Sequence, residues 1–194
     1  MSQTRPVARP RPPLGRVALA VAALALVVLA LVRLVPGDRG GDTAGPATVV
    51  RVVDGDTLVV DVGGVDERVR LIGVDTPESV APHRPVECWG HEASARLAAL
   101  VPVATPVRLV RDVEPRDAYD RLLAYVYRAD DDLFVNRALL DDGAAEAMPY
   151  PPNTTHRAEF AAAERTARTA RTGLWGACGG ADVTLAPTSP GPSR

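Results

Sequence analysis

Soft metal ligands are nearly missing from this chain. Two cysteines and three histidines occur in 194 residues. No two histidines have a His-x-x-x-His spacing, and two isolated cysteines do not make a thiolate site, so no zinc constellation is present. His83 falls in a loop, His91 on a predicted helix and His156 at a predicted helix start. Each is a lone histidine, a weak signal for direct chemistry. Lysine is absent and every cationic side chain is arginine. No internal repeat stands out. Acidic residues are missing from the first 33 positions.

That last absence marks off an N-terminal segment. Residues 1–16 carry Arg5, Arg9, Arg11 and Arg16 among prolines, and residues 17–32 are the uncharged run VALAVAALALVVLALV, closed by Arg33. A positive flank before an apolar run is an export or anchor signal. Sixteen residues are short for a span, though snorkelling of Arg33 extends the run to about 20. Val28-Leu29-Ala30 is a poor cleavage context. We expect residues 1–36 to be an uncleaved membrane anchor, a transmembrane helix, with a cleaved signal peptide and secretion as the alternative. Either places the rest of the chain outside the cytoplasm. Residues 37–46 read as a flexible linker, 47–180 as one folded domain, and 181–194, ending PTSPGPSR, as a disordered tail. Beyond Arg33 the chain has 17 arginines against 24 acids, a net of −7. That argues against a general nucleic-acid binder, which should be basic, and leaves room for an enzyme that makes local phosphate contacts.

Chemistry concentrates in residues 49–78, VVRVVDGDTLVVDVGGVDERVRLIGVDTPE. Val49–Val53, Leu58–Val62 and Arg68–Gly73 have strand composition. Asp54-Gly55-Asp56 and Gly63-Gly64 are turn signals, and Gly55 lets the backbone turn sharply before Asp56. In the third run Ile72 breaks the alternation, as at the end of a curved barrel strand. Asp75 and Glu78 flank Thr76-Pro77, a stiff bracket that presents carboxylates. Clustered carboxylates repel unless a cation or shared proton compensates, and oxygen-only ligands suit calcium or magnesium. Arg70 among them adds a phosphate-binding fork.

Further along, Glu87–Leu100 is a predicted helix with Trp89, Ala93, Leu97 and Leu100 on one face. Val107–Val110 and Arg121–Tyr127 are predicted strands. Leu133–Leu140 and His156–Thr172 are predicted helices, the latter with a Glu164–Arg168 pair and with Phe160, Ala163 and Ala167 facing the barrel. Asn153-Thr154-Thr155 matches a glycosylation sequon, but in an arginine-only, alanine- and proline-rich chain of bacterial type it reads as a loop. In an exported domain Cys88 and Cys178 suggest one disulfide, and two free or buried thiols are the alternative.

VDGDT (53–57), RLIGVDTPE (70–78), YDRLLAYVY (119–127) and PNTTH (152–156) together resemble the staphylococcal nuclease family, or thermonucleases, in order and spacing over about residues 47–175. The resemblance implies a five-stranded OB-type β-barrel with three helices, working as a monomeric domain. It implies calcium-dependent hydrolysis of single-stranded DNA or RNA to products with 3′-phosphate ends. The metal ligands carry over to Asp56, Asp75 and the carbonyl of Thr76, the general base or water positioner to Glu78, and the phosphate-contacting arginines to Arg70 and Arg121. Tyr119 matches a substrate-contacting tyrosine, and Asp54 an acid beside the metal site. Two positions depart from the family pattern: Ala118 replaces a basic residue and Met148 a base-stacking tyrosine, which weakens substrate grip. A catalytically silent nucleic-acid-binding barrel is the rival reading. It predicts losses among Asp56, Asp75, Glu78, Arg70 and Arg121, and all five are present.

Overall fold

The computed structural model describes residues 43–79, 85–181 and 183–184. The expected anchor over 1–36, the first part of the linker, His83 and the end of the tail lie outside the described residues. Among the described residues no helix is long and apolar enough to cross a membrane.

The elements run β1 (Thr43–Val52), β2 (Thr57–Val62), β3 (Val65–Leu71), β4 (Val74–Asp75), α1 (Gly90–Leu100), β5 (Pro106–Val110), β6 (Leu122–Arg128), α2 (Val135–Asp141), β7 (Glu146–Ala147), α3 (Arg157–Ala170) and the single turn α4 (Leu174–Ala177). Five strands close a barrel in the order β1-β2-β3-β6-β5, and β4 pairs with β7 as a separate ribbon. The expected five-stranded barrel with helices is the observed architecture. Every barrel pairing is antiparallel except β3–β6, where Val69 faces Leu122 and Leu71 faces Ala124. The β-branched runs explain the strands: alternate residues such as Leu58, Val60, Val69, Leu71, Val107 and Leu109 are buried inside. Ala93, Leu97 and Leu100 of α1, Leu139 and Leu140 of α2, and Phe160 and Ala163 of α3 join the same core.

Four features differ from the sequence reading. β1 begins at Thr43, which pairs with Val110, and Pro46 pairs with Arg108, so residues 43–46 belong to the barrel and not to a linker. The third run ends at Leu71. Ile72 is buried beyond the strand end, which is why it breaks the alternation. Trp89 is not on the α1 face; it precedes the helix with a φ of 74° and packs with Ala167, Leu174 and Trp175. At the other end, Val183 accepts a bond from the Cys88 N–H at 2.7 Å and Thr184 bridges to Glu87, so the folded unit runs past 180. Next to that contact Cys88 and Cys178 form a disulfide, with Cα atoms 6.0 Å apart.

Asn136, fully buried, locks α2 to the barrel end. Its amide donates to the Ile72 carbonyl at 2.9 Å, and its Oδ1 accepts the Val126 N–H at 2.9 Å. His156 is also structural. It packs its ring among Tyr125, Phe134 and Phe160 and bonds Glu159 at 2.8 Å. The Arg168–Glu164 pair forms at 3.2 Å.

Candidate active site

Where β1 turns into β2, Asp54 Oδ1 accepts the Asp56 N–H at 3.1 Å, a local turn that aims the Asp56 side chain inward. Gly55 is required here for a different reason than the sequence suggests. Its φ is not left-handed. Instead, a Cβ at Gly55 would lie 2.5 Å from Thr76 Oγ1 and 3.0 Å from the Ala93 methyl. The absent side chain is what lets the 54–56 turn sit against the 75–78 bracket.

Arg70, on β3, ties the two segments together. Its Nη1 donates to the carbonyls of Leu71 and Val74 at 2.9 and 2.7 Å, and its Nη2 lies 3.0 Å from Asp56 Oδ2 and 2.8 Å from Asp75 Oδ1. Thr76 N–H also donates to Asp56 Oδ2, at 3.2 Å. Glu78 accepts the Ser79 N–H at 2.9 Å. Asp54, Asp56, Arg70, Asp75, Thr76, Pro77, Glu78, Glu87 and Arg121 line one open cavity of about 250 Å³.

Arg121 stands immediately before β6. Its Nε donates to Asp117 Oδ2 at 2.7 Å, while Asp117 Oδ1 accepts the N–H groups of Tyr119 and Arg121 at 2.9 and 3.0 Å. Burial alone would raise the Asp117 pKa, but these bonds outweigh it and hold the carboxyl below its usual range. Tyr119 is outside the cavity wall and 80% exposed, so it is not packed into the rim; the Arg121 guanidinium stands 5.5 Å from its ring. A second cavity of about 180 Å³ adjoins the first. Met148 and Tyr150 line it together with Arg70, Asp117 and Arg121.

Every predicted catalytic and metal-site residue therefore lines one cleft, and Tyr119 stands beside it. Sequence reasoning missed Asp117, Glu87 and Tyr150. Asp117 had a usable signal, an acid four residues before Arg121. Glu87 and Tyr150 had none, because each reaches the site through space.

The donor set suits a hard cation. The Asp56 carboxyl is pushed up to about 7. Burial is the main cause, Arg70 opposes it, and the neighbouring charges of Asp54 and Asp75 add to it. Arg70 thus does not offset the cost of burying a charge on Asp56. Among the described residues no three His, Cys, Asp or Glu side chains group closely enough to hold an ion alone. The fitting set is Asp56 and Asp75 with a backbone carbonyl, an oxygen shell that water and a phosphate would complete.

A closed barrel thus carries a carboxylate cleft edged by two arginines. The sequence profile described as "Staphylococcal nuclease homologue" matches residues 68–177. The thermonuclease of Staphylococcus intermedius is 40% identical over 161 residues, covering 80% of this chain and 94% of the relative. That of Staphylococcus hyicus is 38% identical over 127 residues, 66% and 73% of the two chains. Endonuclease YncB of Bacillus subtilis (strain 168) is 37% identical over 133 residues, 68% and 62% of the two chains. The chain belongs to the staphylococcal nuclease family.

Proposed function

We propose that this protein is a calcium-dependent phosphodiesterase that hydrolyses single-stranded DNA and RNA and leaves 3′-phosphate ends. The observation that carries the reading is the convergence of Asp56, Asp75, Glu78, Arg70 and Arg121 on one cleft. Asp56, Asp75 and the Thr76 carbonyl would hold calcium, which when bound neutralises phosphate charge and polarises the phosphorus centre. Glu78 takes the proton of the attacking water. Water oxygen bonds to phosphorus as the bond to the 5′ oxygen breaks. Arg70 and Arg121 donate to the phosphoryl oxygens as charge builds on them, and Arg121 also stabilises the departing oxygen electrostatically. The open cleft, with Met148 and Tyr150 beside it, suits a flexible single strand better than a rigid duplex. The negative charge of the folded part predicts weak substrate binding.

The test is cleavage of single-stranded DNA and RNA oligonucleotides by the full chain, with calcium and then with chelator, beside Glu78→Gln. Calcium-dependent cleavage leaving 3′-phosphates, slowed about 100-fold or more in the variant, supports the enzyme. A folded chain that binds calcium and oligonucleotide without cleaving is instead a silent binding module.

The same reading includes location. A basic segment before an apolar run, together with the Cys88–Cys178 bridge, supports an extracytoplasmic domain held at a membrane by residues 1–36. Protease accessibility on intact cells tests the side of the membrane. The mass of the mature chain separates an anchor from a cleaved signal.

A further inference from the structure

We infer that Glu87 is a positioning residue for Glu78; the inference rests on the reading of Glu78 as the carboxylate that activates water. Glu78 follows a proline at the end of a bracket, and Glu87 stands nine positions further along the sequence. The two residues are clamped to each other. Glu87 Oε2 accepts the Glu78 N–H at 2.8 Å, and the Glu87 N–H donates to the Glu78 carbonyl at 2.9 Å. Both polar groups of the Glu78 peptide backbone are thus held by one residue.

Glu87 is an unusual choice for a mere staple. It is only 6% exposed, and it adds a carboxylate to a cleft wall that already has Asp54, Asp56, Asp75 and Glu78. Burying another acid there is electrostatically costly. A carboxylate acceptor makes a shorter and stronger bond to a backbone N–H than a neutral one. The clamp itself is anchored from behind. Cys88 is in the disulfide, and α1 begins at Gly90, where a Cβ would lie 2.4 Å from the Glu78 carbonyl oxygen. Ser79, whose N–H holds the Glu78 carboxylate, is bonded in turn to Ser94 of α1 at 2.9 Å. Glu78 therefore rides on a platform made of Glu87, the helix start and the bridge. A general base displaced by about 1 Å loses on the order of 100-fold in rate, so the platform bears on kcat.

The experiment measures kcat and KM for a single-stranded oligonucleotide with calcium, using the full chain and Glu87→Ala, Glu87→Gln and Glu87→Asp, each also in the Glu78→Gln background. Glu87→Ala is expected to lower kcat about 10- to 100-fold with KM changed less than about 3-fold. Glu87→Gln, which keeps an acceptor at the same reach, is expected to recover most of that loss. In the Glu78→Gln background Glu87→Ala should cost nothing further, because the group it positions is gone. If Glu87→Ala does not fold, Glu87→Asp and Glu87→Gln carry the test. Aspartate, one methylene shorter, should lose kcat where glutamine holds it. Wild-type kcat in Glu87→Ala, equal kcat in the Asp and Gln variants, or an undiminished loss without Glu78 overturns the inference. An inactive wild-type chain removes the nuclease reading itself, and this inference with it.

Discussion

Arg70 Nη2 lies 3.0 Å from Asp56 Oδ2, an ion pair set in the wall of the cleft, and the same nitrogen reaches Asp75 at 2.8 Å. One cation thus draws together two carboxylates nineteen positions apart in sequence. For Asp56 its attraction does not offset the cost of burial, and the balance has consequences that can be measured.

The Asp56 carboxyl, raised from 3.8 to about 7 by burial, favours the protonated form in the calcium-free fold. Below pH 3.8 both folded and unfolded chains carry the proton, and above about 7 neither does. Between those limits the folded chain binds more protons, so the calcium-free protein loses stability as pH rises through this window, by a few kcal/mol on the order-of-magnitude linkage estimate. If calcium binds the charged form of Asp56 as proposed, its stabilising effect should grow with pH. Thermal unfolding at pH 5 and pH 8, with and without calcium, checks this. Asp56→Asn should be more stable than wild type at pH 8 without calcium, and inactive.

Asp117 spends its carboxylate on the turn that delivers Arg121. Asp117→Asn keeps an Oδ1 acceptor for both backbone N–H groups and loses the ion pair through Oδ2. We expect kcat/KM to fall about 10-fold as Arg121 wanders, with a stability change near 1 kcal/mol. Arg121→Ala should cost more than that in activity and less in melting temperature. Activity assays paired with calorimetry separate the two.

Asn136→Ala should leave the Val126 N–H and the Ile72 carbonyl without their side-chain partner inside the core. The expected loss is about 2–4 kcal/mol, read from urea unfolding, with kcat changed little.

Reducing the Cys88–Cys178 bridge opens a loop of 90 residues. The loop-entropy estimate is about 4 kcal/mol, which corresponds to roughly 10 °C in melting temperature for a domain of this size. Thermal melts with and without a reductant test it. Cys88→Ser with Cys178→Ser should match the reduced protein.

The order of the strands, the carboxylate bracket and the arginines were legible in sequence because their causes are local. β-branched runs favour extended chain, Gly-Gly and Asp-Gly pairs make turns, and Thr76-Pro77 stiffens whatever carries Asp75 and Glu78. Strand ends were less legible. Ile72 continues the hydrophobic run although β3 has already ended, because it is buried past the strand end, where Asn136 of α2 holds its carbonyl. Thr43–Pro46 looks like linker because what holds it is β5, some sixty residues away. The site divides in the same way. The identities of Asp56, Asp75, Glu78, Arg70 and Arg121 were set by short motifs. The Arg70 bridge, the burial that raises Asp56, the fit of Gly55 against Thr76 and the clamp of Glu87 on Glu78 were decided only when the barrel closed. Each is a contact of about 3 Å between distant segments, and no local propensity encodes such a distance.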